Sequence, residues 1–404
     1  MAKYHTNKGL RPLISVLLRT RFKKGSKLEV IRRFHSFSCQ GNPINTASGN
    51  KFQVETDYYS HSAFHLPFQR IYNSQDGYWQ HNYSTRLVIV DSEVKLVHRD
   101  GRESFFTRNG VMITVDKDEL GTLTVNGKDW TYKSETEEIY QFDSSGRLLR
   151  WQSLGGLGYS LTYKGGQIIV RIDTGQSLTF THDEYFQPLS LTTEDGSITY
   201  IYDDQKRLTQ VKSNWRGQSS SKFYFYENIL FPRHLTGIVD EKGKRFATWK
   251  YDYHGRAISS YHGNEIEKLS IVYNTDGTTT VTNALGKQTV YHYTVINGIR
   301  KVVRIEGQSS HNCPASNSSY TYNDRGQINT QTDEKGIVTA YKYNDRGLEI
   351  KKTEAQGTTE ERIILTDWHS DFRLPVKVTE PSRVIEYQYD EKGRLIGQQE
   401  LPGS

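Results

Sequence analysis

A tyrosine followed by Asp or Asn, with glycine three positions after that residue, recurs along most of this chain and limits its fold more than any other feature. It stands as Tyr251-Asp252 with Gly255-Arg256, as Tyr322-Asn323 with Gly326, as Tyr343-Asn344 with Gly347, and as Tyr389-Asp390 with Gly393-Arg394. A looser copy carries Tyr140, Asp143, Gly146 and Arg147, and another Tyr202, Asp203 and Arg207. Residues two apart, such as Tyr341 and Tyr343 or Trp249 and Tyr251, share one face of a strand. The Asp or Asn side chain then bonds the backbone ahead of it, and glycine supplies a positive φ. Each copy therefore predicts a hairpin. Tyr322 and Tyr343 are 21 positions apart, and Asp333 to Gly336 makes a second turn between them, as Asp240 to Gly243 does before Trp249. Two short strands and two turns per unit read as a solenoid or spiralling sheet.

The densest stretch, Phe223 to His262, fits the same pattern. Phe223 and Phe225 interleave with Tyr224 and Tyr226, which suits a half-buried pleated surface. A second extended run is expected from His234 to Val239, and a returning strand from Arg256 to Ser260. One hairpin alone is marginal, so stability must come from neighbours, with tyrosines of adjacent units lined up across strands.

A chain of 404 residues is too long for one compact core. Its mean hydropathy is low, −0.71, yet 27 Tyr and 16 Phe against 2 Met make aromatics the main source of buried surface. Tyrosine packs its ring while its hydroxyl stays polar, which suits a thin sheet. The fold class is all-β.

Charge is uneven. Residues 1–38 hold ten Lys or Arg and one acid, Glu29, leaving a net −3 for the remainder of a chain that carries +6. A basic tail on a slightly acidic body does not make a nucleic-acid face. The run LISVLL, Leu13 to Leu18, is too short for a transmembrane segment or a clear signal-peptide core. Residues 1–38 are read as a basic, disordered extension, with membrane-surface attraction as the alternative. Residues 39–135 form a β domain with turns at Asn42-Pro43 and Ser48 to Asn50. In it, Phe52, Val54 and Thr56 share one face, and Phe68, Arg70 and Tyr72 share another. Residues 136–404 are the repeats. Cys39 and Cys313 exclude a disulfide framework or a cysteine zinc cluster.

The Tyr-Asp-x-x-Gly-Arg units and the string from Glu227 to His262 resemble the YD repeats of the Rhs family of bacterial polymorphic toxins. Gly41 to Asn45, Leu66 to Ser74 and Gly77 to Trp79 are similar to the domain that precedes the repeats there. The resemblance covers about residues 40–400. It implies a spiralling antiparallel sheet, part of a cocoon-like shell, capped by the N-terminal β domain. It also implies a toxin or effector polypeptide and a secretion apparatus as partners, and a secreted or envelope-associated location after synthesis in the cytoplasm. The family's Asp-Pro-x-Gly-rich autoprotease segment and variable toxin domain are not visible in the sequence. A wall of this length is expected to fall short of closing a shell, leaving open edges for self-association.

Enzyme signatures are absent: there is no HExxH, GxxxxGK[ST], GxSxG or GxGxxG. His254, His262, His292 and His311 read as turn or surface histidines, with no recurring carboxylate at ligand spacing. The pairs Asp203-Asp204 and Glu137-Glu138 point to opposite faces of a strand, and Trp368-His369 reads as packing. No catalytic residue, cofactor or metal is expected. The main reading is a non-enzymatic shell scaffold. A carbohydrate- or protein-binding module displaying outer aromatics is the alternative, and an unrecognised enzyme the third.

Overall fold

The computed structural model describes residues 39–40, 43–60, 65–110, 112–307 and 317–403. The basic segment 1–38, Gly41, Asn42, His311 and any pairing by Cys313 lie outside them. Strands and turns make up the described residues. No helix among them is long and apolar enough to cross a membrane, which says nothing of β-barrel spans.

One antiparallel sheet of 26 strands runs from Thr122–Asn126 to Leu395–Pro402, each strand pairing with its sequence neighbours. It begins ahead of the expected repeat start at residue 136. Three small sheets precede it. The largest of these joins Arg86–Val90, Glu93–Val97, Glu103–Asn109 and Met112–Val115; another joins Phe52–Tyr59, Pro67–Asn73 and Trp79–His81.

Strict alternation places every tyrosine-bearing turn on one rim of the large sheet and the turns at Asp240, Asn283 and Asp333 on the other. The sheet does not close into a barrel by strand pairing. It curls instead until its late tyrosine-rim turns meet the opposite rim of its beginning. Arg325 Nε donates to the Lys117 carbonyl (3.2 Å), and Lys133 Nζ donates to the Asp371 carbonyl (3.2 Å). Arg373 donates from Nη2 to the Leu120 carbonyl (2.6 Å) and from its backbone to Glu137 Oε1 (2.7 Å). Turn-to-turn contacts, not strand pairing, make this meeting, and the sheet stays unclosed, with Thr122–Asn126 and Leu395–Pro402 each paired to a single neighbouring strand in it.

The core lies on the concave face. Phe142, Phe180, Leu191, Tyr224, Ile238 and Trp249 of the large sheet pack with Phe68, Tyr72, Trp79 and Leu96 of the N-terminal domain. Each large aromatic removed from water stabilises by about 4–6 kcal/mol before entropy is counted. Beyond Tyr320 the buried apolar residues thin to Leu348 and Ile385. There the concave face carries a row of charges across successive strands: Lys352 with Glu354 (2.6 Å), Arg362 between Glu354 and Glu380, and Arg383 with Glu380 (3.1 Å) and Glu400 (3.8 Å).

Two local expectations change. Phe52, Val54 and Thr56 do share a face, but Val54 is exposed and Glu55 and Asp57 point inward, because Lys222 and Arg70 wait there to pair with them. The run from His234 shortens to Gly237–Val239. Asn228 Oδ1 accepts from the Leu230 and Phe231 amides (both 3.0 Å) and bends the chain, and Pro232 has no N–H to extend a ladder.

Candidate functional site

The repeat turns share one geometry. Asp252 Oδ1 accepts from the backbone amides of His254 and Arg256 (both 2.9 Å), while Oδ2 accepts from Arg256 Nε (2.8 Å). Asp143 with Arg147, Asp203 with Arg207 and Asp390 with Arg394 repeat it, and Asp240 does so on the other rim without the arginine. Gly146, Gly243, Gly255, Gly326, Gly347 and Gly393 all have φ between 72° and 83°. Lys206 holds the same place at φ 62°, which is why that copy is hard to see in sequence.

The tyrosines link units. The hydroxyl of Tyr251 donates to the Leu235 carbonyl (2.7 Å), Tyr202 to Pro188 (2.8 Å), Tyr343 to Ile328 (2.8 Å), Tyr389 to Pro375 (2.9 Å), and Tyr322 to Val302 (2.5 Å). Burial pushes the Tyr343 phenol up to about 12, so it stays a donor across the physiological range. The turn arginine completes the link: Arg256 lies 4.2 Å from the Tyr273 ring centre and Arg147 lies 4.9 Å from that of Tyr163. Neighbouring units are therefore tied by hydroxyl-to-carbonyl bonds and arginine–ring contacts more than by the expected tyrosine rows. Tyr341 sits half-buried on the concave face, and Tyr140 donates to Glu138 (3.0 Å).

The second feature is the seam where the N-terminal domain enters the curl. Arg70, fully buried, donates to Asp57 through Nε (2.6 Å) and Nη2 (2.8 Å) and to the Tyr224 hydroxyl (2.8 Å). Tyr200 donates to the same Asp57 (2.9 Å), and the guanidinium lies within 5.5 Å of the Trp79, Tyr200 and Tyr224 ring centres. Lys51 lies 4.2 Å from the Trp249 ring centre and donates to the Phe52 carbonyl and Gln53 Oε1; burial pulls its ammonium well below the usual lysine value, with Glu55 opposing. Trp79 Nε1 donates to the Tyr226 hydroxyl (2.9 Å). His81 Nε2 and His182 Nδ1 share a hydrogen bond (3.0 Å) across the seam. Burial drives His81 well below the usual imidazole value and His182 to about 4. Backbone bonds add to the join: Leu87 donates to the Gly146 carbonyl and Ala257 to that of Gly49. The pairs that cross the seam were not visible in sequence, since their members stand up to 208 positions apart and no spacing rule connects them.

One cluster has the composition of a hydrolytic site. His98 Nε2 bonds Ser104 Oγ (3.0 Å), and that hydroxyl donates to Glu119, which also accepts from the Tyr132 hydroxyl (3.0 Å) and the Gly121 amide (2.6 Å). Its order differs from that of a catalytic triad: the serine lies between base and acid, its proton is committed to Glu119, and it is buried. The arrangement instead fastens the small sheet to the first strands of the large one. His292 meets Glu306 (2.9 Å), and among the described residues no group of three or more His, Cys, Asp or Glu is placed to hold a metal.

Residues 41–106 match a family model described as a domain of unknown function, DUF6531. A stretch of 271 residues, 55% of this chain, is 25% identical to double-stranded DNA deaminase toxin A of Burkholderia cenocepacia; the match covers 19% of that protein, so the chain spans about a fifth of its length. Among solved structures, a TcdB2-TccC3-TEV crystal structure aligns over 93% of this chain and 20% of its own, at 12% identity and TM-score 0.45. The Photorhabdus luminescens Tc holotoxin pore aligns over 90% of this chain and 23% of its own, at 10% identity and TM-score 0.26. The Tyr-Asp turn units, the unbroken antiparallel wall and the matched domain at the head of that wall support an Rhs-type protein.

Proposed function

We propose that this chain is a non-enzymatic scaffold: the wall and end plug of a toxin-associated shell that encloses or displays a toxin or effector polypeptide. The observation that carries this reading is the meeting of Arg373 with Leu120, by which one continuous sheet encircles a space. The N-terminal domain fills one end of that space with a locked aromatic core. Further along, the concave face offers Tyr341, Tyr387 and the charge row from Lys352 to Glu400. Such a mixed surface can hold a polypeptide without requiring a single fit. The polypeptide guest, a secretion apparatus and a location outside the producing cell belong to the same reading. Negative-stain imaging of the purified chain tests it. Ring- or cup-shaped particles with one blocked end are expected, and solid globular particles would overturn it.

A further inference from the structure

The strand Trp79–His81 has a neighbour of its own sheet on one side only, Pro67–Asn73. Side chains, not a ladder, join it to the wall: Gln187 Oε1 accepts from the Trp79 amide (3.2 Å), and His81 meets His182 (3.0 Å). The bonds around the two rings fix where their protons are. The Tyr83 amide donates to His81 Nδ1 (3.2 Å), so the neutral ring carries its hydrogen on Nε2. That Nε2–H donates to His182 Nδ1, which leaves the hydrogen of the second ring on its Nε2. Each ring has one nitrogen able to take a further proton, and both of those nitrogens already accept a bond. A proton on His182 Nδ1 sets two N–H groups against each other. A proton on His81 Nδ1 does the same to the Tyr83 amide.

The surroundings oppose charge on either ring. Phe68 and Phe180 lie against the buried His81 (ring centres 5.9 and 4.6 Å), and Phe186 stands edge-on to His182 (5.1 Å). Arg70 is paired opposite His81, and its carboxylate partner Asp57 is taken up by that guanidinium and by Tyr200. Arg86 over Phe186 and Arg99 beside Tyr83 add positive charge, and the Tyr83 hydroxyl is committed to the Pro67 carbonyl. Asp183 favours a charged His182, yet its oxygens serve its own turn. They accept from the Tyr185 and Gln187 amides (both 2.9 Å) and from Gln187 Nε2 (3.1 Å).

We propose that the His81–His182 pair is a proton-operated latch: acid releases the strand Trp79–His81 from the wall while the wall keeps its own strand pairing. The latch belongs to the join itself, so it stands whether or not the wall holds a guest. Burial holds both imidazoles below their ordinary value, so the released strand binds protons that the docked one excludes. Docking is therefore strongest above about pH 6.5 and weakens as pH falls. With His182 at about 4 when docked, that ring alone makes release about 40-fold easier at pH 4.5 than at pH 6.5. Amide hydrogen exchange of the full chain tests this, read at both pH values and corrected for the intrinsic pH dependence of exchange. Protection of residues 79–84, which include the Trp79 and Tyr83 amides, should fall more than tenfold, while residues 245–273 of the wall change less than threefold. His182→Asn offers His81 an acceptor but takes no proton, and the fall should be at least tenfold smaller in it. If that variant is already unprotected at pH 6.5, the parent's own profile decides, and a fall confined to residues 79–84 supports the latch. Unchanged protection at pH 4.5, an equal fall in residues 245–273, or the same fall in a docked His182→Asn overturns the proposal.

Discussion

Arg373 donates from its guanidinium to the carbonyl of Leu120, 253 positions earlier, at 2.6 Å. The same nitrogen donates to the Arg346 carbonyl (2.9 Å), so one side chain joins two adjacent late turns to the start of the sheet. Arg373→Ala should cost about 1.5–3 kcal/mol at this contact, the range for hydrogen bonds made by charged groups. The loss should be local. Hydrogen exchange should quicken at residues 117–121 and 369–374 while the Phe68–Trp79 region stays protected; uniform exchange across the chain would contradict a turn-to-turn closure.

The turn glycines of the two rims differ in what surrounds them. At Gly347, φ is 72° and an added Cβ would lie 2.7 Å from Leu120 Cδ2; at Gly336 on the opposite rim, φ is 79° and nothing lies within 4 Å. Gly336→Ala should cost only the left-handed penalty, about 1–2 kcal/mol. Gly347→Val adds a clash at the closing contact and should lower the urea midpoint further. Equal midpoints would contradict the placement of that turn against Leu120.

Arg70 and Asp57 are a buried pair, and removing one member leaves a charge without its partner. Arg70→Met or Asp57→Asn alone should each destabilise by about 3–5 kcal/mol. The double variant should recover part of that, giving a coupling energy measurable by a double-mutant cycle in urea. Additive losses would show that the aromatic rings, not Asp57, hold the guanidinium.

His81 and His182 set the pH response of the seam. Both are held below the ordinary imidazole value by burial, His182 at about 4, with the Arg86 charge also disfavouring protonation and Asp183 favouring it at His182. The unfolded chain binds these protons more readily than the folded one. Their contribution is therefore full above the unfolded value near 6.5 and is lost as pH falls toward 4, by on the order of 3 kcal/mol for His182. Urea midpoints of the parent should drop between pH 6.5 and 4 more steeply than those of His182→Gln. Parallel profiles would remove the pair from the account.

Tyr343→Phe isolates the link between units. The hydroxyl bond to Ile328 is lost while the ring stays, so the cost should be about 0.5–1.5 kcal/mol. Tyr343→Ala should cost more, through lost packing. A phenylalanine variant as unstable as the alanine one would mean that the ring has been misplaced.

The parts of this fold legible in sequence are the local ones. Asp252 staples residues two and four ahead of it, and Gly255 adopts the turn conformation; both act within six positions, so their spacing survives as a motif. The alternation of Trp249 and Tyr251 is local in the same sense. Glu55 and Asp57 show where this stops. Their inward turn is decided by Lys222 and Arg70, and a polar residue in an alternating strand gives no sign that a distant cation waits for it. The shortness of the Gly237–Val239 strand was hidden for a related reason: Asn228 and Pro232 interrupt a run that composition alone would extend.

Because each strand of the large sheet pairs only with the next in line, its circumference is fixed by counting hairpins. Inserting one two-strand unit between Glu137 and Arg373 would break no pairing rule. It would, however, bring a different turn opposite Leu120 and send Arg373 past it. The chain thus measures its own girth in whole units, and rim residues such as Leu120 and Gly347 are the marks at which that measurement is read.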